Sequence, residues 1–285
     1  MSIVYLNGDY MPMNEAKISP MDRGFLFGDG IYEVVPSYEG KLVGFKPHLQ
    51  RMQDGLDAIE IQLQVSYEHW YEIAMQLIKR NEGESLGIYF HVSRGAEDKR
   101  SHAYSQGIEP TIYAFAFPIA DAPIADKSAV TSYSVSTTED LRWRRCNIKS
   151  TALLGNVMHY QHGHAKGHNE TILFNQDLQI TEAAACNVFV IKNGVVATPN
   201  LDNQILPGIT RFMLLDILRR DGSIPIEERI VHLSELHDAD EVWITSSSKE
   251  VAPVLNIDDK PVADGKVGNV WLAAQSLYSK HKFDY

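Results

Sequence analysis

The segment Pro118-Ile-Ala-Asp-Ala-Pro123 limits how this chain can fold more than any other. Its two prolines and small residues end the strand-like run before them and start no new periodicity, because proline cannot donate to a ladder and restricts the residue ahead of it. The 285 residues therefore read as a small domain over 1–118, a linker over 119–127 and a larger domain over 128–285. That length suits one large domain or two ordinary ones, and a hydrophobic content of 44% can fill real cores.

In the first part, Ile3 to Leu6, Asn7-Gly8 and the run resuming at Tyr10 predict a hairpin closed by a type I′ turn. Gly30 to Ser37 alternates, with Tyr32 and Val34 on one face and Ile31, Glu33 and Val35 on the other. Helical spacing follows over His48–Ile59 and Tyr67–Arg80, then strands at Gly87–Arg94 and Thr111–Phe117. Strands, helices and strands again predict an α+β unit. Beyond the linker, Ala129–Thr137 and Asp140–Lys149 read as extended and Thr151–Lys166 as a helix. Glu170–Val196 reads as successive strands, followed by helices at Thr210–Arg220 and Asn269–Lys280 around a strand at Glu241–Ser246.

Charge removes several functional classes. With 26 Lys+Arg against 37 Asp+Glu, the formal charge of -11 repels nucleic-acid phosphates and anionic lipid, so neither nucleic acid nor membrane is an expected partner. Arg142-Trp-Arg-Arg145 is too short and isolated to reverse that. Cys146 and Cys186 form no C-x-x-C pair, and the N-terminus has no signal-peptide pattern, so a reducing cytoplasm is the expected location. His159, His162, His164 and His168 match no H-E-x-x-H pattern, and a solvated helix end accounts for them without a metal. Gly28-Asp-Gly30 does not extend to a dinucleotide fingerprint, and P-loop and G-x-S-x-G patterns are absent.

Chemistry has a few places to sit. In Leu178 to Val190 a two-residue period places Glu182 in line with Ile180, Ala184, Cys186 and Val188, so a carboxylate falls on an apolar face. Burial there requires a cation, several donors or a proton; a strand end turning Glu182 to water is the alternative. In Leu206-Pro-Gly-Ile-Thr-Arg211, Pro207 and Gly208 precede a helix that Thr210 can cap, and its free N–H groups suit an anion, although most capped helices bind none. Ser246-Ser247-Ser248 could receive a phosphate or only form turns. Lys149 could point into a cleft or into water, and Arg100-Ser-His102 could grip a carboxylate or form a solvated loop.

In chain order, Asp22 to Glu33, His48 to Arg51, Arg145 to Lys149, Ile180 to Val188, Pro207 to Arg211 and Ile244 to Ser248 resemble the fold-type-IV pyridoxal-phosphate enzymes over nearly the whole chain. The resemblance implies a small α/β sandwich-like domain followed by a larger domain with a barrel-like sheet. It implies pyridoxal 5'-phosphate bound as an aldimine on Lys149, with Glu182 at the pyridine nitrogen and Leu206 against the ring. Arg51, Ile209, Thr210, Ser246 and Ser247 would surround the phosphate. Arg100-x-His102 is similar to the D-amino acid aminotransferases, in which this pair reaches across from the second subunit of a homodimer and Tyr32 and Val34 complete the substrate site. The activity implied is ping-pong transfer of an amino group from a D-alanine-like amino acid to a 2-oxo acid. Ala183-Ala-Ala-Cys-Asn187 departs from the D-specific pattern, which favours a glycine and several serines. The rival readings are a branched-chain L-aminotransferase, an aminodeoxychorismate lyase and a noncatalytic member of the family.

Overall fold

In the computed structural model, which describes residues 2–285, the chain forms two units. The first takes in residues up to Asp121 together with Ile148–Leu153 and Tyr285. It opens with β1 (Ile3–Leu6) and β2 (Asp9–Pro12), joined by Asn7 at φ 49° and Gly8 at φ 106°. Positive φ at both positions is what a type I′ turn demands. After α1 (Arg23–Phe27) come β3 (Gly30–Tyr38), β4 (Lys41–Leu42), α2 (Phe45–Ala58), α3 (Tyr67–Arg80), β5 (Ser85–Ser93) and β6 (Thr111–Pro118). The strands form one antiparallel sheet in the order β2-β1-β6-β5-β3-β4.

Alternation along β3 gives this sheet two different faces. Ile31 and Val35 enter a core with Met52, Leu56, Ile73, Leu77 and Ile88, supplied by α2, α3 and β5. Tyr32 and Val34 lie on the opposite face, where Tyr32 stacks on Tyr89 at 5.6 Å between centroids. Glu33 shares the core face and is fully buried. Arg51 of α2 donates to both its oxygens at 2.7 Å, and His48 Nδ1 contributes a third contact at 2.7 Å. The segment Ile148–Leu153 belongs to this unit, which a linker at 119–127 alone does not anticipate. Tyr32 N–H donates to Lys149 O at 3.1 Å and Thr151 N–H donates to Gly30 O at 2.9 Å.

The second unit comprises residues 122–147 and 154–284. Its elements are β7 (Tyr133–Glu139), α4 (Leu154–His164), β8 (Glu170–Phe174), β9 (Ile180–Ala183), β10 (Asn187–Lys192), β11 (Val195–Thr198), α5 (Ile209–Asp221) and β12 (Ile226–Glu228). They are followed by α6 (Leu233–Asp238), β13 (Glu241–Ser246), β14 (Glu250–Ile257), β15 (Lys260–Pro261) and α7 (Asn269–His281). The sheet runs β12-β11-β10-β13-β14-β7-β8-β9, with β15 paired to β14. It curls back on itself: β9, at the end of that order, returns to β10, and Ala183 N–H donates to Cys186 O at 2.7 Å. The curl encloses Val135, Ile172, Val188, Ile244 and Val254. Its outer side presents Phe189 and Trp243 where α5 and α7 pack against β13.

Several sequence expectations change. Asp140–Lys149 forms no strand, and α4 begins at Leu154 instead of Thr151. The run from Leu178 to Val190 is a tight hairpin, because 184–186 turn the chain between β9 and β10. β14 was not anticipated; it starts at Glu250, whose φ of 53° interrupts the strand pattern. His159 and His168 are buried, not solvated: His159 Nε2 accepts from Leu141 N–H at 3.1 Å, and Ser134 Oγ meets His168 Nδ1 at 2.8 Å. Among the described residues no His, Cys, Asp and Glu group could hold a metal, and no helix is long and apolar enough to cross a membrane.

Burial alone would raise the Glu33 carboxyl, but Arg51 and His48 outweigh it and hold it at about 2. A carboxylate depressed on folding adds stability above its unfolded value and loses it as the pH falls toward the folded value. From the ordinary glutamate value of 4.5 the window runs down to about 2, and the contribution is on the order of 3 kcal/mol. Glu33→Gln should unfold more easily than the parent at pH 7, and the gap should narrow at pH 3. Denaturant titrations at the two pH values measure it, and an equal gap at both would show that Glu33 is not the titrating group.

Candidate active site

Six of the predicted site residues belong to the first unit. Tyr32 and Val34 project from the same face of β3, and Lys149 follows Ile148, which is anchored in the core. The half-buried Lys149 amine lies 4.1 Å from the Tyr32 ring centroid, and among the described residues it makes no hydrogen bond or ion pair. The structure thus joins Lys149 to Tyr32, with the amine half-buried against the ring. Arg51 is buried, with two edges of its guanidinium committed to Glu33. Arg100 and His102 sit in the exposed loop between β5 and β6, where both approach Phe27: Arg100 Cζ is 5.0 Å and the His102 ring 5.5 Å from its centroid.

The others belong to the second unit. Glu182 in β9 is buried, so its alternative as a solvent-facing strand end does not hold. Arg142 Nη1 donates to Oε1 at 2.6 Å, and the Leu206 amide donates to Oε2 at 3.0 Å. Asn187 Nδ2 stands 3.4 Å from Oε2 and donates to Leu206 O at 2.9 Å. Asp140 takes the remaining side of Arg142, at 2.9 Å from Nε and 2.7 Å from Nη2. Burial drives the Glu182 carboxyl up to about 7 against the opposing pull of Arg142. A further positive neighbour would favour its charged form.

Ile209 and Thr210 start α5, but Thr210 is not its cap. Gly208 holds the N-cap position, no side chain caps the helix, and Thr210 is the second helical residue. Free N–H groups at a helix start favour an anion. Glycine is required at 208 because a Cβ there would fall 1.9 Å from Asn187 Oδ1. Ser246 ends β13 with its hydroxyl accepting from Lys249 N–H at 3.3 Å, and Ser247 follows it, half-buried.

Glu33, Arg142 and Asn187 were missed as site-shaping residues. Glu33 had a readable signal, since a carboxylate alternating with Ile31 and Val35 must find a partner. Arg142 had none: it lies in an irregular stretch, and its partner Glu182 is forty residues away.

Known proteins can now be set beside this geometry. The model of the amino-transferase class IV family matches residues 30–257. The chain belongs to the class IV aminotransferases. It is 37% identical over 281 residues to the D-alanine aminotransferase of Staphylococcus haemolyticus, covering 99% of this chain and 98% of the relative. It is 36% identical over 269 residues to the D-alanine aminotransferase of Listeria monocytogenes serotype 1/2a (strain 10403S), covering 94% and 91%. Among solved structures, the Escherichia coli branched-chain amino acid aminotransferase superposes with a TM-score of 0.90 at 22% identity, over 99% of this chain and 94% of that one. A hypothetical aminotransferase from Mycobacterium tuberculosis in its PLP-bound form gives 0.83 at 19%, over 99% of both. At those identities the structures establish the shared fold.

Gly208→Ala should push Asn187 away from Leu206 O and Glu182 and destabilise the protein by about 1–3 kcal/mol, the range for forced overpacking. Chemical denaturation measures it; a neutral effect would mean that Asn187 can move without loss.

Proposed function

We propose that this aminotransferase holds pyridoxal 5'-phosphate on Lys149 and transfers the amino group of a D-alanine-like amino acid to a 2-oxo acid. The observation that carries the reading is the unpartnered Lys149 amine against Tyr32, in a chain alike from end to end to D-alanine aminotransferases. The residues present fit the cofactor. Lys149 supplies a free amine for its aldehyde, Glu182 a buried carboxylate for its ring nitrogen, and the uncapped start of α5 a set of N–H donors for its phosphate. Ile209, Thr210, Ser246, Ser247 and Arg51 would hold the phosphate, and Leu206 would hold the ring. The bound cofactor supplies an electron sink that weakens bonds at the substrate α-carbon.

The protein's own groups do the rest. Glu182, fixed by Arg142 on one oxygen and by the Leu206 amide on the other, would hold the ring nitrogen, where its negative charge would keep a proton in place. The Lys149 amine would be the group that takes the substrate's α-proton and gives it back during the transfer. Arg100 and His102 hold the substrate carboxylate with Tyr32, and Val34 borders the side chain. An α-carboxylate held this way presents the α-proton of one enantiomer to Lys149 and misplaces that of the other, a difference worth orders of magnitude in rate. The pair comes from the second subunit of a homodimer in this reading, and a cytoplasmic location accords with its small-molecule substrates.

Mixing the holoenzyme with D-alanine, L-leucine or aminodeoxychorismate while following its visible band and the product tests the assignment. D-alanine should bleach the band fastest, and an equal or faster reaction with L-leucine would overturn the D-specific reading. Lys149→Ala should lose the band while remaining folded by circular dichroism; borohydride labelling of any other lysine would refute the attachment. Glu182→Gln should keep the cofactor and lose most of its turnover, and near-normal rates would show that the carboxylate charge is not needed.

A further inference from the structure

Helix α1 is only five residues long, yet hydrogen bonds and ring contacts tie it to the Arg100–His102 loop. The guanidinium of Arg23 is buried and all of its edges are used. Nε donates to Asp29 Oδ2 at 2.8 Å, and Nη1 donates to Glu97 Oε2 at 2.8 Å and to Ser101 O at 2.7 Å. Nη2 donates to His102 O at 3.0 Å. The two carbonyls it grips are therefore those of the residues immediately after Arg100. One turn further along α1, the Phe27 ring has Arg23 Cζ at 4.9 Å, Arg100 Cζ at 5.0 Å and the His102 ring at 5.5 Å. Backbone and side chains of the same three-residue motif are thus fixed from one helix.

Both ends of this arrangement are anchored. Asp29 is shared with Arg94, which donates to it from Nε at 2.8 Å and from Nη2 at 3.0 Å. Arg94 also lies 3.7 Å from the Tyr104 ring centroid, which fastens the loop beyond His102. Glu97 accepts Ser105 N–H at 3.0 Å, so the loop is closed on itself around Arg23. At the other end of α1, Gly28 caps the helix at φ 66°, and a Cβ there would fall 2.8 Å from Ala152 Cα. The helix is wedged against the segment that carries Lys149.

We propose that Arg23 and Phe27 are positioning residues for the substrate carboxylate, holding Arg100 and His102 in their binding geometry before the substrate arrives. The inference rests on the reading of Arg100 and His102 as the carboxylate grip. Its physical basis is preorganisation. An exposed arginine in a loop without secondary structure loses rotamer freedom when it is fixed on a ligand, and that loss opposes binding. A guanidinium resting on an aromatic face, in a loop whose carbonyls are pinned, has already lost much of it. Phe27 accordingly serves Arg100 as a support, and Arg23 sets the height of the loop over it. Neither residue needs to touch the substrate.

Arg23→Lys keeps the charge but cannot serve two carboxylates and two carbonyls with a fork; Phe27→Leu keeps apolar volume at a half-buried position and removes the ring face. Each variant, as holoenzyme, is titrated with propionate, a carboxylate that cannot react, through the shift of its visible band. Each is also reacted with D-alanine and with isopropylamine, an amine without a carboxylate. Both should weaken propionate binding and raise KM for D-alanine about tenfold, with kcat and the isopropylamine rate within about twofold of the parent. Mixed with Lys149→Ala, the Arg23→Lys subunit should recover the parent KM, because its Lys149 then receives a loop from a subunit with Arg23 intact. Equal slowing of D-alanine and isopropylamine, or a hybrid that keeps the raised KM, would overturn the proposal. Arg100→Ala is the reference: if it binds propionate normally, the grip itself is wrong and this inference falls with it. If Arg100→Ala loses propionate while Arg23→Lys and Phe27→Leu do not, only the positioning role is refuted.

Discussion

The contact between Arg142 and Glu182 is the one on which the second unit's chemistry depends. A carboxylate in the wall of a curled sheet is costly unless its lone pairs are met, and here they are met by three separate stretches of chain. Arg142 arrives from the irregular segment after β7, Leu206 from the run leading into α5, and Asn187 from the start of β10. Each contact fixes one of those stretches relative to β9. The irregularity of 140–147 follows from this duty, since Arg142 must reach Asp140 and Glu182 at once, and a regular strand would send two residues so close in sequence to the same face with their side chains parallel.

Glu33 solves the same problem differently. Its oxygens are saturated by Arg51 and His48, and its carboxyl is held at about 2; Glu182, with a single cation, is driven up to about 7. Two buried carboxylates with one and two basic neighbours thus end on opposite sides of the ordinary carboxylate range. The first is locked as an anion and serves to orient Arg51. The second is left responsive to one more positive charge, which is the property a partner for a ring nitrogen needs.

The regular elements were legible where local periodicity decides them. The hairpin at Asn7-Gly8, α3 and β13 lie where turn chemistry and apolar spacing put them. The elements that escaped are those whose existence depends on distant partners. α1 is too short to carry a periodic signal and is held by Glu97, Ser101 and His102, more than seventy residues away. The hairpin between β9 and β10 hid inside an unbroken apolar alternation, because a three-residue turn of Ala184, Ala185 and Cys186 lacks the glycine or asparagine that marks such turns. Lys149, Glu182 and Arg51 stand as candidates through motif resemblance; local spacing left each of them ambiguous. Arg142 could come only from the fold, whereas Glu33 was legible as a carboxylate in need of a partner and the fold supplied which one.

That same turn explains how the departure at Ala183–Asn187 is accommodated. Serines there would bring hydroxyls that need partners; alanines bring none, and the turn must be held by its backbone. Ala184 N–H donates to Thr171 O at 2.9 Å, and Ala184 O accepts from Asn156 Nδ2 at 2.8 Å. Cys186 is the one side chain left with a proton to give, and it points at Glu170 Oε2, 3.5 Å from its sulfur. Burial pushes that thiol up to about 12, so it stays protonated and acts as a weak donor, not as a nucleophile. Asn187, next in sequence, donates to Leu206 O and to Glu182, so the support of that buried carboxylate does not depend on neighbouring hydroxyls. Alanines in place of serines therefore lower the polarity of the turn while Glu182 keeps its contacts to Arg142, Asn187 and Leu206.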